Sequence, residues 1–301
     1  MKKVLNLILT ASFIIFIGCV KKAEEENKQT TVYPEFKNEV QVTINGYNLD
    51  AMEPFISKDG NYLFFNSLND SVNTSLYYTS KVNDTTFEFK GELFGANGTA
   101  PHLDAVASMD INNNFYFVST RNYPQVFENY QTGKFNNGSL TNLDTVKGDI
   151  YINTLGWIVM DGEISGNGNT LYYVNSYFKN NILSESKLGI AEKSNSSFTK
   201  SVLSDKLLIN INNSNFLIYA PSISSDGKEL YFTRTNKEKN VPEICVSIKN
   251  NTTDVFSSPK IIKISGNMIE APSLTSDGER LYYHKKSDLD GKYHIYSLTR
   301  E

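Results

Sequence analysis

The chain repeats itself, and the repeat limits what it can become. The stretch Glu53-Pro54-Phe55-Ile56-Ser57-Lys58-Asp59-Gly60-Asn61-Tyr62-Leu63-Phe64-Phe65 returns as Ala220-Pro221-Ser222-Ile223-Ser224-Ser225-Asp226-Gly227-Lys228-Glu229-Leu230-Tyr231-Phe232, and again from Ala271 to Tyr283. Looser copies run from Glu163 to Tyr173 and from Ala107 to Phe117. Marked by Gly60, Asn113, Gly168, Gly227 and Gly278, the copies lie 53, 55, 59 and 51 residues apart. Units of about fifty residues cannot each bury a hydrophobic face alone, so they must stack on one another.

Each unit reads as short strands joined by turns. Tyr and Phe number 18 each, and aromatic or β-branched runs alternate with Asp-Gly, Asn-Gly and Asn-Asn pairs, with no sustained helical period. Asp59-Gly60 reads as a two-residue hairpin loop needing positive φ at its centre. Leu63 and Phe65 point to one face of the following strand and Phe64 to the other, so both faces must be covered. Tandem sheets apolar on both sides fit blades packed face to face around an axis. The expected fold is all-β: a single propeller of four-stranded antiparallel blades, five by this count, with six the alternative. The fifth repeat supplies only three strands before Glu301, and Glu39-Val40-Gln41-Val42-Thr43-Ile44-Asn45-Gly46 supplies the fourth from the other end of the chain. The polar stretch Ser204 to Asn215 reads as a surface loop.

The repeat pattern P-x-x-S-x-D-G-x-x-L-Y/F-F/Y resembles the TolB-type, WD-repeat-like β-propeller repeat over nearly the whole chain from about residue 38. Propellers of that type commonly have six blades. The resemblance implies a binding or protein-interaction module in the cell envelope.

The amino-terminus has the three parts of an export signal: Met1-Lys2-Lys3, an apolar run from Val4 to Ile17, and Gly18-Cys19. The run is shorter than the ~20 residues that span a bilayer. Phe16-Ile17-Gly18-Cys19 resembles the lipobox of bacterial lipoproteins, which implies cleavage after residue 18 and acylation of Cys19. Residues 19–37, which include Lys21-Lys22-Ala23-Glu24-Glu25-Glu26, are polar and read as a flexible tether to a propeller of residues 38–301. Val20 in place of aspartate favours the outer membrane, and lysine followed by acids resembles the surface-export signal of some Bacteroidetes lipoproteins.

Without the leader, 27 basic residues face 33 acidic ones, and no Lys/Arg cluster forms the basic face that nucleic acid requires. Cys19 and Cys245 are the sole cysteines, so no disulfide framework is available, and Cys245 lies in a strand-like run.

No G-x-S-x-G, H-E-x-x-H, C-x-x-C or P-loop pattern occurs. No cofactor or metal is expected; His102, His284 and His294 are too scattered to suggest a site. What remains is a set of acids near the starts of inner strands: Glu53, Asp104, Glu163 and Glu270, with Asp50 and Asp161 nearby and Tyr219 matching Glu270 in the fourth repeat. Inner strands line a propeller's channel, so these side chains converge on one mouth if the register is right. With Trp157, the sole tryptophan, they form a candidate site for a sugar or peptide. The first reading is a non-catalytic module binding an envelope protein or glycan. The alternative is a propeller glycoside hydrolase or polysaccharide lyase using Glu53, Asp104, Glu163 or Glu270, since glycosidases work with paired carboxyl groups.

Overall fold

The computed structural model describes residues 32–70 and 72–301. The expected leader, the expected lipidation site at Cys19 and most of the tether lie outside the described residues.

Five mainly antiparallel sheets follow one another along the chain. Blade 1 comprises Met52–Ile56, Tyr62–Asn66, Leu76–Asn83 and Thr86–Glu92. Blade 2 comprises His102–Met109, Asn114–Ser119, Tyr130–Asn136 and Ser139–Thr145. Blade 3 comprises Trp157–Ile164, Thr170–Lys179, Ile182–Ser194 and Ser197–Lys200. Blade 4 comprises Phe216–Ile223, Glu229–Asn236, Pro242–Ile248 and Lys260–Ile264. Blade 5 takes Ile269–Leu274, Arg280–Lys286 and Tyr293–Arg300 from the carboxy-terminal end. Its fourth strand is Phe36–Gln41, antiparallel to Tyr293–Arg300. The fold is thus the expected five-bladed propeller, closed by an amino-terminal strand that leaves no open edge at the seam. Two boundaries differ from the sequence reading. The closing strand starts at Phe36, inside the expected tether, and Thr43–Asn45 pairs instead, in parallel, with the outer strand of blade 1.

The core consists of five buried clusters, one between each pair of neighbouring blades. Phe64 joins the cluster facing blade 2, whereas Leu63 and Phe65 join the one facing blade 5. Alternation along one strand therefore feeds two interfaces, which is why both of its faces are apolar. The stretch expected as a surface loop contains a short helix, Ser204–Leu207, and buries Leu207, Leu208 and Ile211 between blades 3 and 4. The Asn and Ser residues around them masked an apolar anchor.

The hairpin that gives the repeat its sequence is a longer loop than a two-residue turn. The Gly60 N–H donates to the Ser57 carbonyl at 2.8 Å, and Ser57 pairs across the loop with Tyr62. Only Gly60 has positive φ, at 72°; Asp59 does not need it. The aspartate works through its carboxylate, which accepts from Ser57 Oγ at 2.5 Å and from the Asn61 N–H at 3.0 Å. Ser57 Oγ in turn accepts the Tyr62 N–H. Blades 3, 4 and 5 repeat the scheme with Ser165-Asn167, Ser224-Asp226 and Thr275-Asp277. In blade 2, Asp110 alone accepts from the Asn112 and Asn114 amides. A bend that must satisfy its own amides at the rim thus dictates S-x-D-G.

At the other end of the inner strands the ladder is interrupted in every blade, by register shifts between Met52/Phe55, Ala105/Ser108, Val159/Asp161, Tyr219/Ser222 and Glu270/Ser273. Glu53, Val106, Ala220 and Ala271 take left-handed φ of 50°, 56°, 50° and 58° at these bulges. That conformation costs a non-glycine residue roughly 1–3 kcal/mol, so the surroundings must hold it. They do so by bonding the bulge amide to the blade before: Glu53 N–H to His284 Nδ1 at 3.0 Å, and Ala271 N–H to Thr233 Oγ1 at 2.9 Å. Such bulges re-aim side chains at the axis.

Candidate functional site

Counting back seven residues from each turn marker gives the equivalent bulge positions: Glu53, Val106, Asp161, Ala220 and Ala271. Two of the five are acidic, and they meet on the axis. Glu53, Asp161 and Glu163 line a cavity of about 30 Å³ together with Pro54, Pro221 and Pro272. That volume admits about one water, whose minimum is roughly 10–15 Å³. Glu270 stands one residue up the inner strand of blade 5, close enough to raise the pKa of both Glu53 and Asp161.

The electrostatics of this group are unusual. Burial, then repulsion from Asp161 and Glu270, pushes the Glu53 carboxyl up to about 8. Its Oε1 accepts from Asn69 Nδ2 at 3.0 Å, whereas Oε2 is buried without a partner. Burial, with repulsion from Glu270, lifts Asp161 to about 7; the Ala220 N–H opposes the shift, and Oδ2 is again unpartnered. Glu270 is held differently. Tyr219 donates its hydroxyl to Oε1 at 2.5 Å, and His284 Nε2 lies 3.5 Å from Oε2. Burial, then the Glu270 charge, keeps the Tyr219 phenol well above its ordinary value, so it remains a donor. Because His284 Nδ1 accepts the Glu53 N–H, its ring proton sits on Nε2, facing Glu270. One imidazole thus accepts the Glu53 backbone amide and sets its other nitrogen beside the Glu270 carboxylate, across the seam between blades 5 and 1.

The sequence-derived candidates separate on this geometry. Glu53, Glu270 and Tyr219 come together. Glu163 lines the same cavity but lies deeper along the axis, where its Oε1 pairs with Lys58 Nζ at 2.6 Å, both side chains almost fully buried. Its place before Ile164 suggests a counterpart of Glu53, but the register makes it the counterpart of Phe55. Asp161, two residues earlier, holds the equivalent position, and the spacing to Gly168 carries that signal in the sequence. Asp104 is fully buried away from the cavity, where it accepts from Arg121 and the Gly98 N–H at 2.7 Å each, beside His102 Nε2 at 3.2 Å. Its ion pair is structural. Trp157 stacks on Tyr177 at a centroid distance of 5.3 Å and does not line the cavity. His284 joins this group although a lone histidine in a strand carries no positional signal in the sequence.

Among the described residues, no three His, Cys, Asp or Glu side chains are grouped to hold a metal ion. Cys245 is wholly buried, and burial pushes its thiol up to about 12, which leaves it unreactive.

These features define a five-bladed β-propeller with a cluster of interacting carboxyl groups at one mouth of its channel. Neither a family model nor a curated protein matches the sequence. Solved structures do match the fold. A candidate exo-beta-1,3-galactanase from Bifidobacterium bifidum s17 superposes with a TM-score of 0.58 at 9% identity, over 88% of this chain and 92% of that one. A family 117 glycoside hydrolase from Zobellia galactanivorans gives 0.55 at 10% identity, over 89% and 90%. The alpha-L-arabinofuranosidase of Podospora anserina gives 0.55 at 12% identity, over 89% and 96%.

Two expectations are corrected here. The TolB-type, WD-repeat-like assignment does not hold, because the propellers that match are glycoside hydrolases with five blades. The S-x-D-G pattern that suggested it is a solution to hairpin geometry, and so is open to unrelated propellers. The reading as a non-catalytic binding module falls with it: the matching propellers are enzymes, and carboxyl groups converge at this chain's mouth.

Proposed function

We propose that the protein is a glycoside hydrolase acting on a neutral glycan at the mouth formed by Glu53, Asp161 and Glu270. The observation that carries this is Glu53, a buried carboxyl pushed up to about 8 by its surroundings, with one oxygen unpartnered at the axis. A group in that state is protonated at neutral pH and suited to general-acid work.

Glu53 delivers its proton to the oxygen of the scissile glycosidic bond as the bond to the anomeric carbon breaks. Glu270 serves as the second carboxyl group, oriented by Tyr219 and His284, and takes a proton from the incoming water. Asp161 raises the acidity threshold of Glu53 by repulsion and so keeps the acid loaded. The named activities of the matching propellers, on galactan and arabinofuranosides, support a neutral polysaccharide as the substrate class.

Incubation of the purified protein with β-1,3-galacto- and arabino-oligosaccharides is expected to release reducing sugar, with activity falling above about pH 8 as Glu53 ionises. Turnover that survives Glu53→Gln, or no turnover on any neutral glycan, would reject the reading. The envelope assignment belongs with this proposal: the enzyme acts from a lipid anchor on Cys19. Cys19→Ser is then expected to move the protein from the membrane to the soluble fraction, and membrane retention would refute the anchor.

A further inference from the structure

The axial cavity, at about 30 Å³, cannot enclose a sugar ring, so a glycan must be held elsewhere on the same end of the propeller. A groove of about 590 Å³ opens there between blades 2 and 3. Its volume falls within the roughly 300–1,000 Å³ range of small-ligand sites. Leu103 and Ile158 line it from the starts of the two inner strands, three residues above Val106 and Asp161. At about 3.3 Å per residue, the groove floor stands roughly 10 Å above the acid layer.

The walls are built, and they are tied together. Tyr123, from a loop of blade 2, accepts the Gly156 N–H of blade 3 on its hydroxyl at 2.6 Å, and the Phe178 N–H donates to the Gly156 carbonyl at 2.8 Å. Gly156 has φ of +91°, and a Cβ there would fall 2.6 Å from the Tyr177 ring on the adjacent strand of blade 3, so only glycine lets this segment pack against its own blade. The rim is set by Asn180 and Asn181, the two loop residues of a hairpin, both left-handed at φ 52° and 63°. That is the rigid two-residue turn asparagine favours, and it presents two amides at fixed positions.

From this arrangement we infer that the groove is a subsite for the sugar residues of the substrate chain beyond the cleaved bond. Its lining carries Tyr123, Leu155, Ile158 and Phe178 with two amides and no charged side chain. An apolar floor with neutral donors and acceptors at the rim suits a pyranose or furanose ring, which has one face of C–H groups and hydroxyls around its edge. It does not suit an acidic polysaccharide or a phosphorylated ligand, which would need a cation. Two other grooves contrast with it. One lies at the opposite, hairpin end and is lined by Glu192, Asp226 and Lys249; another, between blades 5 and 1, is lined by Asp290, Lys292 and His294.

The inference rests on the glycosidase reading, and its test separates the two. Leu155→Asp alters a side chain that is 66% exposed, so folding is unaffected; Phe178→Ala removes a wall ring. Each is expected to raise KM for a neutral trisaccharide about tenfold with kcat unchanged, the pattern of lost uniform binding. Direct titration of cellotriose and β-1,3-galactotriose into the Glu270→Gln protein is expected to show the same tenfold loss of affinity in the double variants. Unchanged KM and affinity in the groove variants, with turnover abolished by Glu270→Gln, would overturn the subsite and leave the hydrolase standing. Groove-dependent trisaccharide binding without any hydrolysis would sink the hydrolase and keep the subsite. Absence of binding by both trisaccharides and by an arabinotriose overturns the subsite.

Discussion

The two ends of the same inner strands obey different rules. At the hairpin end, all five blades solve one problem one way: Ser57, Asp110, Ser165, Ser224 and Thr275 each accept the amides that the turn would otherwise leave bare. At the mouth end the equivalent positions hold Glu53, Val106, Asp161, Ala220 and Ala271, and the two acids keep buried oxygens without partners. A scaffold position is satisfied and repeated. On the hydrolase reading, the mouth position breaks the repeat because it is shaped for chemistry and retains unspent bonding capacity.

The largest effect expected from this contrast is on activity. Glu53→Gln or Glu270→Gln should reduce kcat by about 10²–10⁴, the usual contribution of general acid–base groups. Neither change should lower the unfolding midpoint appreciably, because each removes a carboxyl group held among like charges. Kinetics and thermal melts on the same samples check both halves; a variant that loses activity only by unfolding would erase the distinction between the two ends.

Asp104 sharpens the boundary from the other side, since it is an inner-strand acid that the structure assigns to the scaffold. Asp104→Ala leaves Arg121 and the Gly98 amide without their acceptor, and losing one partner of a buried ion pair costs about 3 kcal/mol. Denaturant titration should show that loss, while kcat of the folded fraction stays within about twofold. A large kcat defect in fully folded Asp104→Asn protein would return Asp104 to the catalytic group.

How much of this was legible before the structure follows the same division. Blade count, strand alternation and the closing strand could be read because Gly60, Gly168, Gly227 and Gly278 meet one backbone requirement, positive φ, that sequence records directly. The acids were half legible. Glu53 and Glu270 were found by position, but Asp161 was displaced by Glu163 because a bulge shifts the register, and a bulge depends on tertiary bonds such as Glu53 to His284. The groove between blades 2 and 3 was invisible, since Tyr123 and Phe178 are more than fifty residues apart and meet only through Gly156.

A pH titration of stability tests the charge state at the mouth. Glu53 and Asp161 have ordinary values of 4.5 and 3.8 and folded values of about 8 and about 7. Between those limits the folded state binds more protons than the unfolded state, so stability falls as pH rises and is greatest on the acid side. Each fully differential proton contributes about 1.4 kcal/mol per pH unit, and coupling between the two reduces the combined slope. Denaturant midpoints from pH 5 to 7 should therefore decline, by about 2–3 kcal/mol in free energy for each such proton before coupling reduces the sum. Glu53→Gln with Asp161→Asn should flatten the decline, and an unchanged slope in that double variant would show that the mouth is not its source.

The smallest expected effect belongs to the hairpin end and tests whether its glycine is purely conformational. A Cβ at Gly60 would meet nothing within 4 Å, so a substitution there changes φ preference alone, at +72°. Alanine in that region costs roughly 1 kcal/mol, whereas asparagine visits it more readily and already occupies the equivalent Asn113 at φ 61°. Gly60→Ala should thus destabilise by about 1 kcal/mol and Gly60→Asn by less than half of that, with KM and kcat unmoved in both. Equal losses for the two residues would mean that the turn depends on contacts rather than backbone conformation. A change in kcat would mean that the two ends are coupled along the strand, through the buried Lys58–Glu163 pair that joins the first hairpin to the axis.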